Sequence, residues 1–240
     1  MAAEDGQKGS PQLGGVAGGF DQYEYVAVII PGATLLFGAL VALPGRLPWV
    51  FDKDFGLGGL GVFLVASFVT GQILRAVGDV AERAFWRCFG GQPTEWVLNN
   101  RRELLDDEQR KALMRRLRSL KWVDNDYSYY GSHRRKWQAI TRQIYAKVLE
   151  AKRSARIDAF NRTLGMMNGV TIALAAIALL CWIKAARHAA LWPPAISGPL
   201  ALFPAAGALA LILAGFTLYR FYSFGVLYGR ELFVQFLELP

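Results

Sequence analysis

Ser67, Thr70, Gly71, Arg75, Gly78, Asp79 and Glu82 are the residues whose types and spacing come nearest to chemistry in this chain. They recur at steps of three and four, so a helix would gather them on one face. A polar face that descends from mid-span to a charged end has two readings. It can line a water-filled path or hold an ion, with Arg75 at the mouth. It can equally be the seam on which the helix packs, with Arg75 reaching the lipid headgroups. Asp79 stands four residues from both Arg75 and Arg83, a spacing that suits ion pairs on a helix surface.

Other constellations fail on chemistry. Asp124-Asn125-Asp126-Tyr127-Ser128 starts like a calcium loop, but Tyr129 stands where such a loop needs glycine and Arg135 where it needs glutamate. A polar turn is expected there. Zinc needs about four Cys or His ligands, and only Cys88 and His133 share the basic part of the chain. Gly90-Gly91-Gln92-Pro93-Thr94 lacks the GK[ST] of a phosphate-binding loop and reads as a turn. No GxSxG elbow or His-containing triad is present. No catalytic, cofactor-binding or metal-ligating residue is therefore expected, no cofactor is expected, and the chain does not read as an enzyme. Arg101-Arg102 and Arg134-Arg135-Lys136 are basic enough to touch a polyanion, but beside a membrane they meet anionic lipid first. Lipid, rather than nucleic acid, is the expected partner.

The elements that must position these residues are membrane helices. Of 240 residues, 53% are apolar and only 19% charged, with a mean hydropathy of +0.24; soluble domains carry about 25% charged residues. Four uncharged runs, 25–45, 55–74, 163–183 and 195–219, each meet the roughly 20 residues needed to cross a hydrocarbon core. The expected fold is all-α: a four-span transmembrane bundle with a basic helical cytoplasmic segment between spans two and three. Residues 78–163 hold 19 Lys and Arg against 11 Asp and Glu, which accounts for the whole net charge of +8. Positive residues near spans favour the cytoplasmic side, so this segment and both termini are placed inside. The short outer loops then carry Arg46 and Lys53, and Lys184 and Arg187. The expected division is a flexible Gly-rich tail (1–22) that does not read as a signal peptide, a first helix pair (23–80), the cytoplasmic segment (81–162), a second pair (163–220) and an interfacial helix (221–240). Cys88 and Cys181 fall on opposite sides of the bilayer, too far apart to bond.

Small residues set the expected contacts. Pro31 and Gly32 interrupt span one, either as a hinge or as ordinary tolerance. Gly56, Gly58, Gly59 and Gly61 open span two; Gly165, Gly169 and Ala173 form a small face on span three; Ala206, Ala210 and Ala214 repeat it on span four. Phe63, Leu64, Phe68, Ile73, Leu74 and Val77 form the lipid-facing side of span two. In the basic segment, Asp106 caps a helix over 107–120 with Gln109 as its capping-box partner, and Arg115, Arg116 and Arg118 suit its last turn. A second helix starts near Ser132, with Trp137, Ile140, Ile144, Val148, Ala151 and Ala155 as an apolar seam. With no Gly or Pro before Gly165, it is expected to run on into span three, roughly 78 Å in all. The seam is expected against the 107–120 helix, with another subunit as the alternative. Tyr219, Tyr222 and Tyr228 are expected to anchor the last stretch at the interface.

The segments FDQYEYVAVIIPGA, FGLGGLGVFLVASFVTGQILRAVGDVAER and GGQPTEW resemble an uncharacterised family of bacterial multi-pass inner-membrane proteins over about the first hundred residues. The resemblance implies a bacterial inner membrane and no particular activity. The expected function is a homo-oligomeric membrane effector or channel-like assembly with a cytosolic helical sensing segment, in stress response or antiphage defence, and the polar face of span two is what favours it. The alternative is a non-catalytic anchor or scaffold that recruits a cytosolic partner protein. The expected partners are the lipid bilayer, further copies of the chain and a cytosolic protein. A transporter or membrane enzyme is disfavoured because no ionisable residue lies in mid-span.

Overall fold

Residues 22–42, 57–98, 104–123, 134–191 and 202–240 are described by a computed structural model of the chain. Residues 1–21, 43–56, 99–103, 124–133 and 192–201 lie outside the described residues, and with them the Gly-rich tail, Arg46, Lys53, Gly56, Arg101-Arg102, the calcium-like loop, Ser132 and His133; Lys184 and Arg187, expected in a connection, belong to a helix. Within them the chain is helical: α1 (Gln22–Ala42), α2 (Leu57–Cys88), a 3-10 turn (Pro93–Val97), α3 (Asp107–Ser119), α4 (Arg134–Glu150), α5 (Ala155–Leu191) and α6 (Leu202–Leu237). Three of these, α2, α5 and α6, contain stretches long and apolar enough to cross a membrane, and α1 adds a shorter apolar stretch, Ala27–Ala42. This is an integral membrane protein by helix length and composition.

Named contacts fix the topology. Along α1 and α2 the pairs run antiparallel, Gly32 on Ser67 and Val28 on Gly71. The α1 and α5 helices run parallel, with Pro31 on Gly169, Gly38 on Ile177, and the Ala42 carbonyl accepting from Lys184 Nζ at 2.6 Å. From end to end α5 and α6 lie antiparallel. Gly207 receives Trp182, Thr171 Oγ1 donates to Thr217 Oγ1 at 2.8 Å, and Arg156 meets Glu231 at 3.7 Å. The start of α1, the end of α2, the start of α5 and the end of α6 therefore share one end of the bundle. Cys88, exposed, is at that end and Cys181, buried, is toward the other.

Two of the expected features of the basic segment form as expected. Asp106 accepts from the Gln109 backbone N–H at 2.7 Å, while Gln109 Oε1 accepts from the Asp106 N–H at 3.4 Å, a closed capping box. Trp137, Ile140, Ile144 and Val148 are buried. The straight run from α4 into α5 does not form. Lys152 turns left-handed at φ 58°, and the Arg153 N–H reaches back to the Val148 carbonyl at 3.0 Å. Those are the bonds of a Schellman stop, made without glycine. Ser154 then precedes α5, its carbonyl accepting from the Asp158 N–H at 2.9 Å. Ala151 and Ala155, expected in the seam, are exposed because the chain turns there.

The seam's partner is α6. Its last turns bury Leu232, Phe233 and Phe236 among Leu113 and Leu117 of α3 and the seam of α4. Arg116 ties α3 to the end of α6, donating to the Leu237 carbonyl at 3.1 Å and the Leu239 carbonyl at 2.6 Å, with its guanidinium 5.0 Å from the Phe236 ring centre. Past Arg220 the chain continues as helix to Leu237, as expected, and its last turns enter a helical domain with α3 and α4.

Tyr145 on α4 donates to Asp158 Oδ1 on α5 at 2.6 Å, closing the α4–α5 corner. That hydrogen bond, helped by burial and by the Asp158 charge, pushes the phenol up to about 12 from its ordinary 10.0. A raised folded value means the bond's contribution is whole below pH ~10 and lost as pH climbs through ~12. Thermal unfolding of Tyr145→Phe should therefore show a lower Tm than wild type at pH 8, with the gap closing between about pH 10 and 12.

Candidate functional site

The polar face of α2 divides in two when α1 and α5 are placed on it. Its upper part is a backbone contact. A Cβ on Gly32 would collide with the Ser67 carbonyl, and one on Gly71 with the Val28 carbonyl. Ser67 is 0% exposed, and its hydroxyl donates to the Phe63 carbonyl at 2.7 Å, one turn back on its own helix. Thr70 is half-buried beside this contact. Fully buried in the contact, with its one proton given to its own helix, the hydroxyl is out of reach of a passing ion. Ser67 is a packing residue.

The lower part opens. A cleft of about 200 Å³ lies there between α1, α2 and α5. Gly71, Arg75, Asp79 and Glu82 line it from α2; Asn161, Arg162, Gly165 and Asn168 line it from α5; Ala27, Val28 and Pro31 line it from α1. The structure thus brings Arg75, Asp79 and Glu82 together at one cleft and leaves Ser67 and Thr70 out of its wall. Arg83 does not face Asp79 as an ion pair; its Nε donates to the Asp79 backbone carbonyl at 2.9 Å. Glu82 is oriented by Trp86, whose Nε1 donates to Glu82 Oε1 at 3.3 Å.

The three small residues expected on span three have three different surroundings. Gly169 is the notch for the Pro31 ring, whose Cγ lies 2.9 Å from where a Cβ would stand. This gives Pro31 a packing role that needs no hinge. Ala173 is 0% exposed in the helix contact. Gly165 is open, with no described atom within 4 Å of a Cβ built on it, and it stands at the cleft rim. Asn168 bridges α5 to α2, its Nδ2 donating to the Gly78 carbonyl at 3.0 Å. On span four Ala210 and Ala214 are buried but Ala206 is exposed, the inward position there being Gly207. Of the expected lipid face of α2, Leu64, Ile73 and Val77 are exposed while Leu74 is buried, at 5%.

Below the cleft lies a feature that the sequence reading took for a turn. Gly90 and Gly91 have φ of 79° and 110°, conformations that favour glycine. They reverse the chain so that Pro93–Val97 is buried under the bundle. Three tryptophans meet this crossing. Trp86 sits edge-on to Trp96 with ring centres 6.0 Å apart, Trp96 Nε1 donates to the Gly91 carbonyl at 2.9 Å, and Trp137 Nε1 donates to the Thr94 carbonyl at 2.8 Å. Gln138 Nε2 donates to the buried Glu95 Oε1 at 3.1 Å. Gly225 of α6 makes room for the Trp86 ring, 2.6 Å from a built Cβ, and Gly229 leaves 3.1 Å to Leu104. Gly207, Gly225 and Gly229 were missed as contacts. Their spacing with Ala210, Ala214 and Phe221 on one face of α6 is the signal that would have found them.

Comparison of the chain with family models, with curated protein sequences and with solved structures finds no significant match in any of the three.

Gly71→Val places a branched side chain against the Val28 backbone, which cannot rotate away. A loss of about 1–3 kcal/mol is expected, seen as a lower Tm and a smaller monodisperse fraction in detergent. Gly165→Val, at the open glycine, should leave both unchanged.

Proposed function

We propose that the protein is a non-catalytic membrane anchor that holds a basic helical domain at a fixed position beside the bilayer for a cytosolic partner protein. The observation that carries this reading is α6. One unbroken helix, Leu202–Leu237, packs on α5 through its apolar half and is the central post of the α3–α4 domain through its other half. Such an element transmits position from lipid to cytosol without a hinge. Four spans accompany this reading. The 21 residues of α1 rise about 31 Å at 1.5 Å each, enough for a core of about 30 Å, and α1 runs antiparallel to α2. The basic excess of 78–163 places the shared charged end, and with it both termini, on the cytoplasmic side. The resemblance of the first hundred residues makes a bacterial inner membrane the proposed location.

The polar face supports anchor over pore because Ser67 and Gly71, its deepest members, are consumed by contact with α1. Purified protein reconstituted in liposomes and tested for ion flux under applied potential should conduct no more than empty vesicles. Reproducible flux that changes ion preference in Arg75→Glu would replace the anchor with a pore.

A second reading, a homo-oligomeric effector assembly, is favoured by one observation. Among the described residues nothing lies within 4 Å of a Cβ built on Gly58 or Gly61, so this end of α2 offers a small-residue surface to a second copy. On this reading the mass of the protein in nanodiscs is a multiple of 26.6 kDa, and Gly61→Leu lowers it. A monomeric mass for the wild type in both mild detergent and nanodiscs removes this reading.

A further inference from the structure

The cleft between α1, α2 and α5 changes character along its length. Its floor toward the bundle centre is Ala27, Val28 and Pro31, and its rim is Arg75, Asp79, Glu82 and Arg162. Arg75 is the first charge after the uncharged run 55–74, and Arg162 is the last before the run 163–183. Two helices of opposite direction thus place their boundary arginines at the same cleft. That is the depth at which hydrocarbon gives way to headgroups. Exposed Gly165 keeps the rim open, and at about 200 Å³ the space is below the ~300–1,000 Å³ of sites that enclose a whole small molecule. It suits the head of a ligand whose remainder lies elsewhere.

The rim's charge selects the head. Among the described residues lining the cleft, two arginines stand with two carboxylates, a balanced set, whereas pockets for anionic lipid are basic. Among the described residues lining the cleft none is aromatic, and a quaternary ammonium is recognised by aromatic faces. A primary ammonium has three N–H donors that carboxylates can accept. We propose that this cleft binds a phospholipid with a phosphoethanolamine headgroup. Arg75 and Arg162 take the phosphate, Asp79 and Glu82 take the ammonium, and an acyl chain leaves over Ala27, Val28 and Pro31. The Trp86 hydrogen bond to Glu82 Oε1 orients that carboxylate and leaves the rest of its roughly four acceptor positions available. This site is independent of whether the chain anchors a partner or assembles with itself.

The test is retention of lipid by the purified full chain, read by native mass spectrometry after equilibration with defined mixtures. Wild type should retain phosphatidylethanolamine about tenfold over phosphatidylcholine, the scale of one or two charge-assisted hydrogen bonds. Retention should fall in steps through the mono- and dimethylated lipids as each methyl removes a donor. Asp79→Asn combined with Glu82→Gln should bring the ratio to about one, while Arg75→Gln should reduce adducts of both lipids. The methylation series uses unaltered protein, so it decides the matter even if a variant does not fold. Equal retention across the series overturns the proposal, as does preference for phosphatidylglycerol. Displacement of the lipid by free phosphoethanolamine at equal concentration would assign the site to a solute and overturn it as well.

Discussion

The Trp86 ring is seated against the α6 backbone at Gly225, and at that level α6 exchanges one set of packing partners for another. At this level the chain leaves the apolar part of the bundle, and a helix passing from lipid to water would ordinarily lose its partner. Here the partner changes without a gap. Phe221 and Trp86 pack at a tilt of 36° with ring centres 5.4 Å apart, Tyr222 and Trp96 lie 6.0 Å apart, and both tryptophans are at or below 2% exposure. Aromatic side chains bring large buried area and edge-to-face preferences, and they do so where small-residue packing from the spans gives way to leucine and phenylalanine packing in the domain. Glycine at 225 is what lets the largest side chain fit against the α6 backbone. The buried Pro93–Val97 crossing, the placement of α4 by the Trp137 hydrogen bond to Thr94, and the α3 contacts with the last turns of α6 all follow from that seat.

The approach of α1 to α2 supplies the second constraint. The two helices meet by backbone contact where Gly32 faces Ser67 and Gly71 faces Val28. Among the described residues the same polar face of α2 is packed at Ser67 and Gly71 but exposed and charged at Arg75 and Asp79. The balanced charge of the open half then limits the ligands that it would hold.

Much of this was legible in the sequence where a local rule decides the outcome. The Asp106–Gln109 capping box is one such case, because both partners lie within a single turn. The seam from Trp137 to Val148 is another, because apolar residues at helical spacing are buried whichever element covers them. What covers them was not legible. The expected partner was α3, and the observed one is α6, about ninety residues further on, whose last stretch read as a helix at the membrane interface anchored by Tyr219, Tyr222 and Tyr228. The break at Lys152 carried no stop signal, since a lysine in the left-handed region is held there by surrounding hydrogen bonds and not by its own preference. Gly90 and Gly91 did announce a turn, but not that the following Pro93–Val97 segment would be buried. In the site, the grouping of Arg75, Asp79 and Glu82 followed from helical periodicity. The arrival of Arg162 opposite them needed the α2–α5 pairing, which no local pattern encodes.

The central claim is that the apolar spans and the α3–α4 domain move as one body along α6. Amide hydrogen exchange of the reconstituted protein, resolved along residues 210–236, tests it most directly. The account predicts strong protection that runs without interruption through Tyr222 and Gly225, with this segment opening as one unit with the α3–α4 domain. A fast-exchanging gap around 220–226, with protected helix on both sides, would contradict it.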